Sequence, residues 1–165
     1  GFKCDAFRLS KKGRSVDGAF ISEEDFTNHV KATIDKYGEK LESFDGLLIA
    51  WSAGSMNCAK TVYAGPELDG EALDPNYERW ISGLGLTDIN IFPHFQNLKD
   101  EWLDGMRVIE DITFADSFKH EIIAMNDGTY IVIEDGKETL FGEAYSIKDG
   151  AMSQICENGM SIELN

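Results

Sequence analysis

The sequence is poor in residues that mark several protein classes. Its three cysteines, Cys4, Cys58 and Cys156, show no CxxC spacing, which argues against a disulfide framework or a cysteine zinc site and favours a reducing compartment. Only 15 Lys and Arg residues oppose 30 Asp and Glu residues, so the net charge is −15. Nucleic acids and anionic membranes require a basic face, so neither is expected as the main partner. No apolar run reaches the roughly 18 residues of a membrane span.

The start of the chain lacks a targeting signal, because Gly1-Phe2-Lys3-Cys4 resembles neither a signal peptide nor a transit peptide. We therefore expect a cytoplasmic protein. The missing initiator Met leaves three alternatives open: a processed chain, a fragment, or a chain that lacks an upstream segment. The 165 residues, of which 42% are hydrophobic and 27% charged, predict a single globular domain spanning residues 1–165.

The N-terminal half has the pattern of an α/β unit. Residues 2–9 alternate loosely and predict a strand, and Ser22 opens a helix whose apolar face continues to Leu41. The continuously apolar run Leu47–Trp51 predicts a strand covered on both faces, at the centre of a parallel sheet. A helix to about Val62, a long loop over residues 64–76, a strand over residues 89–92 and a helix containing Trp102, Met106 and Ile109 follow.

The C-terminal part has a different pattern. The turn sequences Asn126-Asp127-Gly128, Asp135-Gly136 and Asp149-Gly150 come at short intervals, with apolar strands between them. They predict an antiparallel meander appended to the α/β unit.

The strongest chemical signal is Ala50-Trp51-Ser52-Ala53-Gly54, in which a strand runs into a Ser flanked by small residues and a helix follows. This is the layout of a nucleophile elbow, whose tight turn does not accommodate large neighbours. The amide groups at the start of the helix would then face an oxyanion. The alternative is a simple strand-to-helix turn with Ser52 as an N-cap.

A nucleophilic Ser needs a base, and His94 is the best placed of three histidines. It directly follows the strand 89–92 and a proline, and the ligand crevice of an open α/β sheet lies at the carboxyl ends of its strands. His29 and His120 lie in polar, solvated surroundings. Asp25 and His29 have helical spacing for a metal, but no third ligand is evident, so no metal site is predicted.

The third member of a triad would be a carboxylate that orients the imidazole. Spacing alone does not choose among the acids of the loop between the two residues, which are Glu67, Asp69, Glu71 and Asp74.

Several motifs together resemble the peptidase E (aspartyl dipeptidase) and cyanophycinase-like serine peptidases, in particular the bacterial peptidase E-like branch. The resemblance covers roughly residues 44–155, and the matching motifs are Trp51-Ser52-Ala53-Gly54-Ser55, Tyr63-Ala64-Gly65-Pro66-Glu67, Gly83-Leu84-Gly85-Leu86, Pro93-His94-Phe95-Gln96, Asn126-Asp127-Gly128-Thr129-Tyr130 and Leu140-Phe141-Gly142-Glu143-Ala144.

The resemblance implies a three-layer α/β sandwich with a mostly parallel central sheet, of the class I glutamine-amidotransferase-like, flavodoxin-like type, followed by C-terminal antiparallel strands. It implies Ser52 as nucleophile, His94 as base, and Ala53 N–H as an oxyanion donor. The family spacing after the elbow points to Glu67 as the acid, where peptidase E carries Asp, with Asp69 as the alternative. No cofactor is implied.

The sequence also departs from the family. The first hydrophobic strand and the strand with its Gly-Gly loop, which supplies the second oxyanion amide, are not recognisable, and Gly18-Ala19 is the only remnant. Losing one oxyanion donor would cost about 10²–10³ in rate.

The resulting expectation is a serine peptidase acting on small peptides as a monomer or homodimer. Preference for Asp-X dipeptides would require a cation in the pocket, for which Arg107 is the first choice and Arg79 and Lys60 are alternatives. Two other functions stay open: a non-catalytic binding or regulatory member of the amidotransferase-like fold, and an esterase or amidase that uses the same triad.

Overall fold

The computed structural model describes residues 46–164. The strand expected over residues 2–9, the Gly18-Ala19 loop and the helix beginning at Ser22 lie outside this range. The described elements, in chain order, are α1 (Ala53–Met56), β1 (Thr61–Tyr63), β2 (Trp80–Ser82), β3 (Ile91–Phe92), α2 (Phe95–Leu98), β4 (Trp102–Leu103), β5 (Met106–Arg107), a π-helical turn (Val108–Thr113) continuing into α3 (Phe114–Asp116), β6 (Ile122–Met125), β7 (Tyr130–Glu134), β8 (Lys137–Phe141), β9 (Ala144–Lys148), β10 (Ala151–Cys156) and β11 (Ser161–Leu164).

A mixed four-stranded sheet in the order β10-β9-β6-β3 lies at the centre of the described fold. β3 and β6 are parallel, with Ile91 opposite Ile123 and Phe92 opposite Ala124. β6–β9 and β9–β10 are antiparallel. The chain is therefore a mixed α/β protein, as expected, whereas the mostly parallel three-layer sandwich stays a prediction.

The central sheet carries a separate apolar core on each face, because neighbouring side chains of a strand point to opposite sides. Phe92, Ile122 and Ile147 face a core that also contains Tyr63 and Ile109. The opposite face carries a second core, formed by Ile91, Ile123, Met125, Leu140, Ala144 and Cys156. All four residues of β6 are buried, so this strand is held from both sides.

The antiparallel hairpins predicted at the two Asp-Gly turns are confirmed, but they do not form one continuous meander, because β8 and β9 belong to different sheets. β7 and β8 form a hairpin across Asp135-Gly136, and β9 and β10 form one across Asp149-Gly150. All four turn residues have positive φ, as primed two-residue hairpin turns require. β11 pairs with β8 and completes a three-stranded sheet in the order β11-β8-β7.

The prediction of a buried strand over Leu47–Trp51 is wrong. The segment forms no strand, and Leu47 and Trp51 are 82% and 81% exposed. An apolar run becomes a buried strand only when neighbours pair with it and cover it. No strand within residues 46–164 pairs with this segment.

Two predicted helices also differ from the structure. The helix after Ser52 ends at Met56 rather than near Val62, and β1 begins at Thr61. The region predicted as a helix around Trp102 and Met106 begins instead as the β4–β5 hairpin, and helical structure starts at Val108. In the described part of the chain, no helix has both the length and the apolar character needed to cross a membrane.

Candidate active site

Ser52 lies in a strained backbone conformation immediately before α1. Its φ is 50° and its ψ is −131°, a region that non-glycine residues rarely adopt and that costs about 1–3 kcal/mol. The turn is closed by hydrogen bonds from Ser55 N and Met56 N to Ser52 O, at 2.9 and 3.2 Å. Such strain persists only where surrounding contacts enforce it, and it is typical of a nucleophile elbow.

The Ser52 hydroxyl contacts the imidazole of His94. Ser52 Oγ lies 3.0 Å from His94 Nε2, within the range in which a base can take the hydroxyl proton. His94 itself has a left-handed backbone, with φ 61° and ψ 29°, and precedes α2. The contact thus joins two non-glycine residues with positive φ, a conformation that such residues uncommonly adopt.

The other ring nitrogen of His94 binds a carboxylate. His94 Nδ1 lies 2.6 Å from Asp127 Oδ1. An ionised carboxylate only accepts hydrogen bonds, so the Nδ1 proton is assigned to this contact and Nε2 is left to accept from the Ser52 hydroxyl. The three side chains thus form the chain Ser52–His94–Asp127, with the tautomer that general-base chemistry requires.

The parallel pair β3 and β6 explains how residues distant in sequence meet. His94 follows β3 after one proline, and Asp127 follows β6 after Asn126. Parallel neighbours end at the same edge of a sheet, so their following loops lie side by side. The Asp127 loop is further held at Glu143 O, which accepts from Asn126 N at 3.2 Å and from Thr129 Oγ1 at 2.9 Å.

Glu67, the expected acid, does not occupy the position beside the imidazole. Its residue is exposed in the loop after β1, and its backbone N–H donates to Glu71 Oε2 at 2.9 Å. The family spacing implied by the resemblance favoured it, but the partner of a histidine is decided by which strands are adjacent and not by distance along the chain. The missed residue, Asp127, carried a signal that sequence analysis could have used: an acid separated by one residue from the apolar run Ile122–Met125.

Two further expected site residues have defined surroundings. Ala53 is exposed, and its N–H donates to no protein acceptor within residues 46–164. The Arg107 guanidinium instead binds Asp111, with Nε and Nη2 each 3.1 Å from a carboxylate oxygen, and Glu110 lies 3.8 Å from Nη1. The hydrogen bond from Arg107 lowers the pKa of Asp111, which keeps both partners charged.

The alternative cation Arg79 is also engaged. Its Nη2 donates to Ala72 O at 3.0 Å, and its Nε lies 3.9 Å from Asp116. No group of three or more His, Cys, Asp or Glu side chains within residues 46–164 is arranged to hold a metal ion.

Comparison with known proteins identifies one family. The family model described as Peptidase family S51 matches residues 33–141, about two thirds of the 165-residue chain. The matched range contains Ser52, His94 and Asp127. Neither the curated proteins nor the solved structures contain a match to the chain.

Proposed function

The chain belongs to peptidase family S51, and from this membership we propose that it is a serine-type peptidase that hydrolyses small peptides at Ser52. His94 is the proposed general base and Asp127 the proposed orienting acid. Asp127 takes the role that the family resemblance suggested for Glu67, because it is the carboxylate in contact with the imidazole.

The proposed reaction follows from the order of the three side chains. Ser52 Oγ attacks the carbonyl carbon of the scissile bond while His94 Nε2 takes the hydroxyl proton. The carbonyl oxygen becomes an oxyanion, to which Ala53 N–H donates. When the C–N bond breaks, Nε2 returns the proton to the leaving amine, and the acyl group stays on Ser52. A water molecule, activated by the same nitrogen, then releases the acid product and restores Ser52.

The observation that carries the proposal is the strained Ser52 backbone together with the 3.0 Å contact of its hydroxyl to His94. A serine that merely caps a helix would use its side chain to accept from an amide of the first turn. Ser52 makes no such capping bond, and its hydroxyl is directed to an imidazole instead. This difference favours the nucleophile over the N-cap.

The same contact weighs against a non-catalytic binding protein, because a binding role has no need of an aligned serine, histidine and carboxylate. Esterase or amidase chemistry would use the same groups, and family membership favours the peptide bond. Preference for Asp-X dipeptides, the monomeric or dimeric state and cytoplasmic location remain predictions from the sequence.

The proposal is tested by labelling the purified full chain with a fluorophosphonate probe and locating the modified residue by mass spectrometry. We expect the adduct on Ser52 and no labelling of Ser52→Ala. Ser153, an exposed serine in β10, supplies the matched control, since Ser153→Ala should label at the wild-type rate. A folded wild-type chain that takes no label, or that is labelled elsewhere, would contradict the proposal.

Peptide hydrolysis separates the peptidase from its esterase alternative. Wild type and Ser52→Ala are incubated with a panel of dipeptides, beginning with Asp-X, and with acyl esters of the same residues. Cleavage of dipeptides that Ser52→Ala abolishes supports the proposal. Turnover of esters alone by a chain that takes the probe would transfer the function to esterase chemistry.

A further inference from the structure

The side chain of Gln96 links the segment that bears His94 to the main chain of Asp127, the acid of the proposed triad. It lies in α2, two residues after His94, and its Oε1 accepts a 2.9 Å hydrogen bond from Asp127 N–H. The His94 imidazole meanwhile binds the carboxylate of the same Asp127 at 2.6 Å. One short segment thus holds Asp127 at both its side chain and its main chain.

We propose that Gln96 is a positioning residue, whose amide oxygen fixes the Asp127 loop at the distance that keeps the carboxylate on His94 Nδ1. The inference rests on the proposed function, because it assigns Gln96 a role in preparing the same triad. Gln96 acts through Asp127 and has no proposed contact with substrate.

The need for such a clamp follows from exposure. The side chains of His94 and Asp127 are 47% and 58% exposed, so water competes for both partners and an exposed pair contributes little by itself. The bonds to Glu143 O hold the Asp127 loop to the β8–β9 connection, which carries no member of the triad. The Gln96 bond links this loop directly to the segment that bears His94.

The geometry also accounts for the residue type. A glutamine side chain reaches Asp127 N–H from the position two residues after His94, and only its oxygen accepts a hydrogen bond. Methionine has a similar length and shape but no strong acceptor, whereas glutamate retains an oxygen in the same place. These two substitutions separate the hydrogen bond from simple packing.

The test compares wild type with Gln96→Met and Gln96→Glu, using Asn97→Met as the matched control on the exposed side of α2. We expect Gln96→Met to slow fluorophosphonate labelling of Ser52 about tenfold, the change that loss of one typical hydrogen bond produces. Gln96→Glu should recover most of the rate, and Asn97→Met should not change it.

Proton NMR gives a readout that does not depend on activity. In the wild type we expect the Asp127 amide to exchange more slowly than the neighbouring Gly128 amide, which is exposed and donates no hydrogen bond within residues 46–164. In Gln96→Met this protection should be lost and the His94 Nδ1 proton should shift upfield, with both features restored in Gln96→Glu.

The outcomes are distinguishable. Wild-type rates in Gln96→Met, or equal losses in Gln96→Met and Gln96→Glu, would overturn the proposal. If Gln96→Met does not fold, the wild-type spectrum still decides, because an Asp127 amide that exchanges as fast as Gly128 excludes the clamp. Failure of the wild type to label would remove the proposed function, while the amide measurement would still test the link between Gln96 and Asp127.

Discussion

His94 and Asp127 are 33 residues apart in sequence, yet His94 Nδ1 lies 2.6 Å from Asp127 Oδ1. The contact exists because each residue follows one strand of the only parallel pair in the central sheet of the described chain, β3 and β6. The pairing of these two strands brings the loops that carry the imidazole and the carboxylate side by side. The chemistry of the site therefore depends on a pairing in the buried core.

Replacement of Asp127 by Asn should inactivate the site while leaving the fold intact. The amide keeps the shape of the side chain but removes the charge that orients Nδ1–H, and such a change costs about 10⁴ in rate where an acid holds the catalytic histidine. We expect a loss of this size in the rate of Ser52 labelling by a fluorophosphonate.

Glu67→Gln is the matched control, since the sequence favoured Glu67 for the same role. Its rate should stay within about threefold of wild type, because the imidazole contact belongs to Asp127. A large loss in Glu67→Gln together with an active Asp127→Asn would return the role to Glu67.

Gly142 should resist substitution because the Asp127 loop packs against it. Its φ is +105°, and a Cβ atom placed there would lie 2.8 Å from Thr129 Oγ1 and 3.1 Å from Thr129 Cα. Gly142→Ala therefore combines backbone strain with displacement of the loop, and we expect a loss of about 2–4 kcal/mol in the free energy of unfolding. Urea unfolding measures this loss.

Gly136→Ala isolates the backbone contribution to that loss. Gly136 also has positive φ, at +76°, but a Cβ atom there meets nothing within 4 Å. It should cost only about 1–2 kcal/mol and leave Ser52 labelling unchanged. Equal losses in the two variants would show that contact with Thr129 contributes nothing.

Local turn chemistry and strand ends could be predicted from the sequence, whereas long-range neighbours could not. Asp135-Gly136 and Asp149-Gly150 specify their hairpins because positive φ at both positions is a property of the dipeptide. The alignment of β3 with β6 is encoded in no short segment. The Asn126-Asp127-Gly128 sequence by itself therefore predicts a turn and a family motif, and the family spacing points to an acid nearer the elbow.

The segment Leu47–Trp51 illustrates the same limit. Its composition correctly marks residues whose exposure to water is unfavourable. Whether they are buried, however, depends on elements elsewhere in the chain. Ile122–Met125 has the same apolar character and is fully buried, because β3 and β9 flank it on both sides. The apolar pattern predicts the need for neighbours, and the tertiary structure decides whether they are present.

Arg107→Gln should have little effect on substrate preference. The guanidinium is already bound by Asp111 in two hydrogen bonds, so its charge is largely neutralised toward a substrate carboxylate. We expect the ratio of kcat/KM for Asp-X over Ala-X dipeptides to change less than about twofold. If Arg107 bound the substrate carboxylate directly, its removal would lower the ratio tenfold or more, since a charged hydrogen bond is worth about 1.5–3 kcal/mol. That result would restore Arg107 as a specificity residue.

The final prediction concerns acid stability and Glu121, which precedes β6. The hydrogen bond from the Ser146 hydroxyl is the main reason why the pKa of Glu121 lies below its ordinary 4.5 despite partial burial. The Lys148 ammonium, 3.2 Å from Glu121 Oε2, lowers this pKa further. A carboxyl whose pKa is lowered on folding stabilises the protein above its unfolded pKa, and the contribution is lost as the pH falls through the folded pKa.

Glu121→Gln should therefore destabilise the protein at neutral pH by about 0.5–1 kcal/mol, a modest figure because the side chain is 40% exposed and screened by water. The difference from wild type should shrink progressively as the pH falls below about 4.5, as followed by urea unfolding. Glu157→Gln is the matched control, because Glu157 is exposed and its side chain has no ion pair within residues 46–164. This variant should show no comparable loss in the free energy of unfolding at neutral pH. A difference between Glu121→Gln and wild type that stays constant down to about pH 3 would mean that packing of Glu121, and not its charge, stabilises the start of β6.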